Sequence, residues 1–349
     1  MTTPAITRRA LLTTAAATAL PLPLRAAAPT PAKITPELLE AARKEGKVSH
    51  YTSDDLVQAT AMAKAFEAKY PGIKFQLERT GAERVYQRIM QEYASKVYVA
   101  DVISSADLSF VVAWKGQGML TQYLPEEALF GPPEARDPDG FYLSENFTLV
   151  VPGFNHRMLK PEDAPKTWAD LLDPKWKGKM AKGHPGYSGT IMNGTYALAN
   201  ALGWEYFEKM GKQGVMQLQS AGDPPQRVAQ GERPIMADCS ENVAIRVMNQ
   251  GGPLTLIYPP EGIPVVPIGT AIMAKPANPN AARLLLHFLA SREAQQLRAD
   301  YGSRTFHPEV KMAATRKPTS EMKLLFNDPL ALSRDAEMVK KRYTQYFGT

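Results

Sequence analysis

Cysteine is nearly absent from this chain of 349 residues, and its five histidines are scattered. The single cysteine, Cys239, excludes an intramolecular disulfide and any zinc site built from several cysteines. No two histidines have the His-x-x-x-His spacing, so a transition-metal site would need oxygen ligands or histidines that the fold brings together. We therefore predict neither a resident metal ion nor another cofactor.

Long apolar runs and dense basic clusters are missing as well. The alanine-rich apolar run that ends near Leu24 is too short for a convincing membrane span, which needs ~20 apolar residues. The formal net charge is +6, but no Lys/Arg stripe with interleaved aromatic residues is present, so nucleic acid is not an expected partner. With 44% hydrophobic and 22% charged residues, the composition is typical of a soluble globular protein of roughly two domains.

Residues 1–28 have the pattern of a cleaved export signal. Arg8 and Arg9 precede the apolar run, and three alanines at 26–28 form a small-residue cleavage site. Adjacent arginines are typical of a twin-arginine signal, which carries a folded protein across the membrane. Cleavage there would leave 38 of the 41 basic residues, because Arg25 also departs, against 35 acidic ones. We predict an exported protein of the bacterial periplasm, where a lone cysteine avoids unwanted disulfides.

The remaining chain opens with alternating helices and strands. The periodicity predicts helices over 35–45, 56–70 and 82–95 and strands over 47–52, 73–77 and 101–104. This βαβαβ order favours a mostly parallel sheet, which binds ligands at the carboxyl ends of its strands. Two such ends are rich in hydroxyl groups, and ordinary loop polarity is the alternative explanation. Their residues are Tyr51, Thr52 and Ser53 at one end, and Ser104 and Ser105 at the other.

Ser188, Gly189 and Thr190 lie where a loop of turn-forming residues meets a predicted helix that extends to Leu202. The start of a helix presents unpaired backbone N–H groups and the positive end of the helix dipole, which together favour an anion. The bland alternative is that Ser188 or Thr190 merely caps the helix. The pattern therefore predicts a helix start and leaves open whether it binds an anion.

Four segments carry a resemblance to a known family. The segment 165–180, PKTWADLLDPKWKGKM, is similar to a signature of periplasmic solute-binding proteins of ABC transporters, of the ferric-ion-binding, class II type. The segments 185–190 (PGYSGT), 228–235 (VAQGERPI) and 276–296 resemble further motifs of the same proteins. The resemblance extends over roughly residues 48–308, which is nearly all of the mature chain.

The resemblance implies an α/β fold of class II, with two lobes that are each a mixed sheet flanked by helices, and with two crossover strands as the hinge. We expect residues 33–148 plus 271–349 in the first lobe and residues 149–270 in the second. The lobes are expected to close on a small-molecule solute and hand it to an inner-membrane ABC permease. The family also implies a binding protein without catalytic residues, and we expect a monomer. A variant of this role would deliver the ligand-bound form to a sensor kinase.

The chain departs from the ferric-binding members in one respect. Those proteins bind iron largely through an adjacent tyrosine pair, whereas the corresponding residues 237–245 contain no tyrosine and the chain has no adjacent pair anywhere. Phenolate oxygens are hard ligands suited to ferric iron, so their absence disfavours that cargo. Iron uptake stays the alternative, with an oxygen site assembled from Tyr51, Tyr142, Tyr187, Asp238 and Glu241.

A small anionic organic solute fits the pattern better. Ser188, Gly189 and Thr190 would receive its phosphate, phosphonate or carboxylate group, and the hydroxyl-rich strand ends would close on it. Asp238 and Glu241 would suit an additional amine, although both are also explained as ordinary helix residues. The predicted ligand-binding residues are Tyr51, Thr52, Ser53, Ser104, Ser105, Tyr142, Tyr187, Ser188, Gly189, Thr190, Asp238 and Glu241.

Catalysis is the competing class of function. Cys239 is a conceivable thiolate nucleophile with Glu241 as its base, but no histidine is near it in sequence. A free cysteine more often behaves as a small buried hydrophobic residue. We therefore expect a binding protein and not an enzyme.

Overall fold

The computed structural model describes residues 29–313 and 316–348. The predicted export signal, residues 1–28, lies outside the described residues. Among the helices of the described part, none combines the length and the apolar character that crossing a membrane requires.

The first lobe is built around a parallel three-stranded arrangement in which β1 lies between β2 and β3. Thr35 caps the first helix by accepting a hydrogen bond from Leu38 N at 3.2 Å, and Gly46 ends it in the left-handed conformation at φ 72°. The predicted alternation of helices and strands is confirmed. The elements are α1 (Pro36–Glu45), β1 (Lys47–Thr52), α2 (Leu56–Lys69), β2 (Lys74–Arg79), α3 (Ala82–Ala94), β3 (Val102–Ser105), α4 (Leu108–Gly116) and β4 (Leu120–Thr121).

The long strand β5 (Leu143–Asn155) connects the two halves of the molecule, and all of its residues are buried. It pairs antiparallel with β10 (Ile263–Met273), and its second half pairs with strands of the second lobe. The strand order β2-β1-β3-β10-β5-β8-β6-β7 places these two strands side by side in the middle. They are the two crossover strands that the family resemblance implies.

The second lobe repeats the arrangement of the first, because β6 runs parallel to both β7 and β8. Ser188 caps its main helix, α5, as the sequence predicts, by accepting a hydrogen bond from Ile191 N at 3.4 Å. The elements are β6 (Met180–Gly183), α5 (Gly189–Leu202), α6 (Trp204–Gly211), β7 (Met216–Leu218), α7 (Asp223–Ala229), β8 (Ile235–Ser240), α8 (Glu241–Asn249) and β9 (Leu254–Leu256).

The chain after β10 first returns to the first lobe, where α9 packs against α1. The final helix, α11, instead packs against α4 of the first lobe and against α5 and α6 of the second. The predicted assignment of all of residues 271–349 to the first lobe does not anticipate this position. The elements are α9 (Pro279–Ala290), α10 (Arg292–Asp300), β11 (Arg304–Thr305), β12 (Leu324–Leu325) and α11 (Pro329–Phe347).

Each lobe has its own apolar core between sheet and helices. In the first lobe Phe66 and Phe288 meet edge to face, with ring centroids 5.6 Å apart. In the second lobe Trp168 and Phe207 belong to one cluster, and the Trp168 indole N–H donates to Gly262 O at 2.8 Å.

Candidate ligand-binding site

A cleft of about 480 Å³ lies between the two lobes, a size suited to a small molecule. Its walls are formed where strands β1, β2, β7 and β8 end and the following chain segments begin. These are the carboxyl ends of parallel strands, the edge at which α/β sheets bind their ligands. The position of the cleft is therefore the one that the alternating sequence pattern predicts.

Several helices begin at the wall of this cleft. The residues that precede or open them are Asp55 at α2, Gly81 at α3, Ser188 at α5 and Ser240 at α8, and all four line the cleft. Neither Gly81 nor Ser240 caps its helix with a side-chain hydrogen bond. Unpaired N–H groups and positive dipole ends consequently surround the cavity, which favours a negatively charged ligand.

The carboxylates that line the cleft are neutralised by basic side chains of the protein. Asp54 pairs with Arg298, and Asp55 forms a two-pronged pair with Arg246 in which Nη2 lies 3.0 Å from Oδ2. The third carboxylate, at the start of α3, pairs with the final helix. These two residues are Glu83 and Lys340, with Oε2 and Nζ 3.1 Å apart. The acids of the cleft are therefore balanced within the protein.

Two arginines of the cleft, Arg79 and Arg84, are not balanced in this way. Arg79 donates from Nε to the backbone oxygen of Asp54 at 2.7 Å, and Arg84 is exposed on α3. Within the described part of the chain, neither arginine has a carboxylate within 4.0 Å. The cleft thus carries an excess of positive charge from two guanidinium groups in addition to the helix dipoles.

The floor of the cleft consists of buried neutral hydrogen-bonding groups. Thr148 donates to Asn242 Oδ1 at 3.1 Å, and its hydroxyl lies 3.0 Å from the Ser240 hydroxyl. Asn146, next to them on β5, is only 1% exposed, and its Oδ1 has no hydrogen-bond partner. A neutral polar surface of this kind suits hydroxyl or amide groups of a ligand.

A buried polar chain runs behind the floor. Arg298 donates to Glu145 Oε1 at 3.0 Å, Thr270 donates to the same oxygen at 3.2 Å, and Ser104 links Thr270 to His50 through contacts of 2.7 and 2.8 Å. Burial raises the pKa of Glu145 to about 7, although the Arg298 charge opposes the shift. Burial, aided by the same charge, lowers the pKa of His50 to about 3.

The predicted ligand-binding residues separate into two groups. Those that line the cleft are Ser53, Tyr187, Ser188, Gly189 and Thr190.

The remaining predicted residues of the first lobe do not line the cleft, and four of them have hydrogen-bond partners inside the protein. The Tyr51 hydroxyl donates to Glu92 at 2.8 Å, Thr52 Oγ1 accepts from Asp54 N at 3.0 Å, and Ser105 Oγ accepts from Asp107 N at 3.0 Å. Ser104 belongs to the buried polar chain, and Tyr142, whose pKa burial raises to about 12, is absent from the cleft wall.

The two acids predicted for an amine lie in buried ion pairs. Asp238 is 3.0 Å from Lys182 Nζ and accepts a hydrogen bond from Gly183 N at 3.0 Å. Glu241 accepts from Arg304 at 2.8 Å and from Arg316 at 2.6 Å. Both carboxylates are satisfied within the protein, so the structure does not present them to an amine in the cleft.

Sequence reasoning overlooked the arginines and the floor. Arg79 is the last residue of β2, and Thr80 and Gly81 follow it, so the rule that ligands bind at the ends of parallel strands was sufficient to find them. No local pattern marks Asn146 or Asn242, because they reach the cleft through the crossover strand and through α8.

The residues considered for iron binding and for catalysis lie as follows in the described part of the chain. Among residues 29–313 and 316–348 no cluster of three or more His, Cys, Asp or Glu side chains could hold a metal, and Tyr187 is the single tyrosine among the described cleft residues. Cys239 is fully buried, and burial raises its pKa well above its ordinary value. A protonated, inaccessible thiol is typical of a structural cysteine and not of a nucleophile.

Two α/β lobes joined by two crossover strands, with a polar cleft between them, define a solute-binding protein of class II architecture. Residues 51–304 match the family of bacterial extracellular solute-binding proteins, and the chain belongs to this family. The resemblance seen in the sequence and the predicted fold class are confirmed. The family is one of binding proteins, not of enzymes.

Known proteins agree with this membership. A probable ABC transporter periplasmic-binding protein, y4fP, from Sinorhizobium fredii is 22% identical over 276 residues, which cover 76% of each chain. The periplasmic binding protein AfuA from Actinobacillus pleuropneumoniae, with fructose 6-phosphate bound, superposes with a TM-score of 0.80 at 22% identity, covering 87% of this chain and 99% of AfuA. Iron-bound HitA from Pseudomonas aeruginosa gives a TM-score of 0.73 at 20% identity, covering 85% and 99%.

Proposed function

We propose that this protein is the periplasmic substrate-binding component of an ABC importer and that it captures a small organic solute with a phosphate, phosphonate or carboxylate group. The observation that carries the proposal is the charge of the cleft. Among the residues that the structure describes, Arg79 and Arg84 line the cleft with no carboxylate within 4.0 Å, whereas each lining acid is paired with a basic residue. An anionic group between them would provide the charged hydrogen-bond acceptor that neither arginine has among the described residues.

The buried floor supports an organic solute and not a bare inorganic anion. Asn146, Thr148, Ser240 and Asn242 are neutral and buried, so they suit the hydroxyl groups of a polar body attached to the anionic group. The amine that the sequence suggested is not part of the proposal, because Asp238 and Glu241 are engaged in ion pairs.

The similar proteins support the general role in transport and not a particular solute. The Sinorhizobium fredii relative is described as a probable component of an ABC transporter, and AfuA has a sugar phosphate bound, while HitA has iron bound. Export by the twin-arginine signal, delivery of the solute to an inner-membrane permease and a monomeric state complete the proposal.

The test is a thermal-shift screen followed by calorimetry on the mature protein. The compounds are sugar phosphates, phosphonates, carboxylates, polyamines, neutral sugars and ferric citrate. A ligand at 100 times its dissociation constant adds about 2.7 kcal/mol to the free energy of unfolding, which is easily detected. We expect a shift with an organic anion and none with polyamines or neutral sugars.

Arg84→Gln then tests the role of the proposed charge. We expect this variant to bind the anion about 10-fold or more weakly, since a lost charge-assisted hydrogen bond is worth roughly 1.5–3 kcal/mol. Arg88→Gln is the matched control, because Arg88 lies on the same helix but pairs with Glu78 and Glu92 outside the cleft. A shift with ferric salts alone, abolished by a chelator, would overturn the organic-anion proposal in favour of iron uptake.

A further inference from the structure

The two walls of the cleft approach each other closely at Gly81 and Gly189. A Cβ placed on Gly81, at the start of α3, would lie 2.8 Å from the backbone oxygen of Tyr187 in the opposite lobe. A Cβ placed on Gly189, at the start of α5, would lie 2.8 Å from Asp107 Cβ and 2.9 Å from Ala82 Cβ. Cβ atoms essentially never come within 3.0 Å of other heavy atoms, so an alanine at either position requires the walls to move.

The backbone does not explain why glycine occupies these positions. Gly81 has φ −67°, and neither Gly81 nor Gly189 is among the glycines with positive φ. Gly81 occupies the N-cap position of α3, where serine, asparagine and aspartate are at least as favourable as glycine, and Gly189 is the first residue of α5. With conformational need excluded, the remaining reason for glycine is the close approach of two backbones.

Polar contacts cross between the lobes beside these glycines. Asn193 of α5 donates to Ala106 O at 3.2 Å, next to the contact between Gly189 and Asp107. Arg246 of α8 reaches Asp55 at the start of α2. Since these contacts need short distances, any widening at the glycines would also lengthen them.

We propose that Gly81 and Gly189 set the smallest separation that the two cleft walls can reach, and that this separation determines the affinity for the solute. The inference rests on the proposed function, because a solute held between Arg84 on one wall and Ser188 on the other loses contacts as the walls separate. In this role each glycine acts by leaving space for the opposite wall, so both are positioning residues.

The test compares Gly81→Ser, which adds a Cβ and still suits the N-cap position, Gly189→Ala and a matched control. The control is Gly116→Ala, because Gly116 is also helical, has no positive φ and would place its Cβ with no atom within 4 Å. Binding of fructose 6-phosphate is measured by calorimetry, and small-angle X-ray scattering is recorded with and without this compound. Circular dichroism verifies that each variant is folded.

We expect both wall variants to bind fructose 6-phosphate at least about 10-fold more weakly than the wild-type protein and to scatter as less compact particles, since overpacked contacts are relieved by movement. Gly116→Ala should match the wild type in both measurements. Two folded wall variants that match the wild type in affinity and in scattering would overturn the inference.

The two glycines lie on opposite walls. If one wall variant fails to fold, the other variant alone therefore tests whether wall separation determines the affinity. If the wild-type protein binds neither fructose 6-phosphate nor any other anion, the proposed function fails. The scattering curves of the protein without ligand then decide the inference separately, since equal curves for variants and wild type would refute it.

Discussion

Replacing His50 with glutamine is expected to change how the stability of the protein depends on pH. His50 is 4% exposed, and its Nε2 lies 2.8 Å from the Ser104 hydroxyl. Burial lowers its pKa from the ordinary 6.5 to about 3, so the folded protein keeps it neutral while the unfolded chain protonates it below pH 6.5. The stability that His50 contributes is therefore present above pH 6.5 and lost as the pH falls toward about 3.

The magnitude follows from this shift. Each pH unit below 6.5 costs about 1.4 kcal/mol of folding stability, so roughly 2 kcal/mol of the His50 contribution is lost by pH 5. Glu145 acts in the opposite direction, because its pKa is raised from 4.5 to about 7. The stability that Glu145 contributes is present below pH 4.5 and lost as the pH rises through 7. The pH dependence of wild-type stability is therefore the sum of two opposing effects.

The assay is urea unfolding of wild-type protein and His50→Gln at pH 7 and pH 5. The variant is expected to be less stable at pH 7, and the gap to the wild type should shrink by about 2 kcal/mol at pH 5. For Glu145→Gln the wild-type protein should gain stability relative to the variant as the pH falls. His156→Gln, at an exposed position, serves as the control for the substitution of histidine by glutamine itself. A gap for His50→Gln that does not change with pH would refute the reasoning.

Two further changes test buried and cleft-lining groups. Asp238→Asn should destabilise the protein by about 3–5 kcal/mol in urea unfolding, because Lys182, whose side chain is 2% exposed, loses its charge partner. A loss of stability below about 1 kcal/mol would show that hydrogen bonds to Tyr343 and Gly183 suffice to hold the ammonium group. Thr190→Val keeps the shape of a 9% exposed side chain at the start of α5. It should lower the affinity for the anionic ligand without changing the midpoint of urea unfolding. Unchanged affinity in calorimetry would assign Thr190 a purely structural role.

Local patterns were sufficient to predict the secondary structure. The helix start at Ser188 and the end of the first helix at Glu45 both depend on residues within a few positions of one another, and the structure has each of them. Such signals are readable because the hydrogen bonds that they describe join neighbours in sequence. The same holds for the alternation of helices and strands, which indicated a parallel sheet and the edge at which a ligand binds.

The predicted cleft residues show where local reasoning ends. Ser53, Tyr187, Ser188, Gly189 and Thr190 line the cleft, since they lie at the end of a strand or the start of a helix. The remaining seven have the same residue chemistry but lie one or more positions back along the strand, elsewhere in the first lobe, or in buried ion pairs. Sequence position at a strand end identifies the edge of the sheet but not which side chains face the solvent.

By itself, then, the sequence determined the class of fold, the family and the helix start at Ser188 that faces the cleft. Only the tertiary structure decided the charge of the site, because that depends on which acids and bases meet. Asp238 meets Lys182 since β6 and β8 are neighbours, and Asp54 meets Arg298 although 244 positions separate them. Charges are paired by proximity in space, so the sequence alone does not identify Arg79 and Arg84 as the cleft arginines without a carboxylate partner among the described residues.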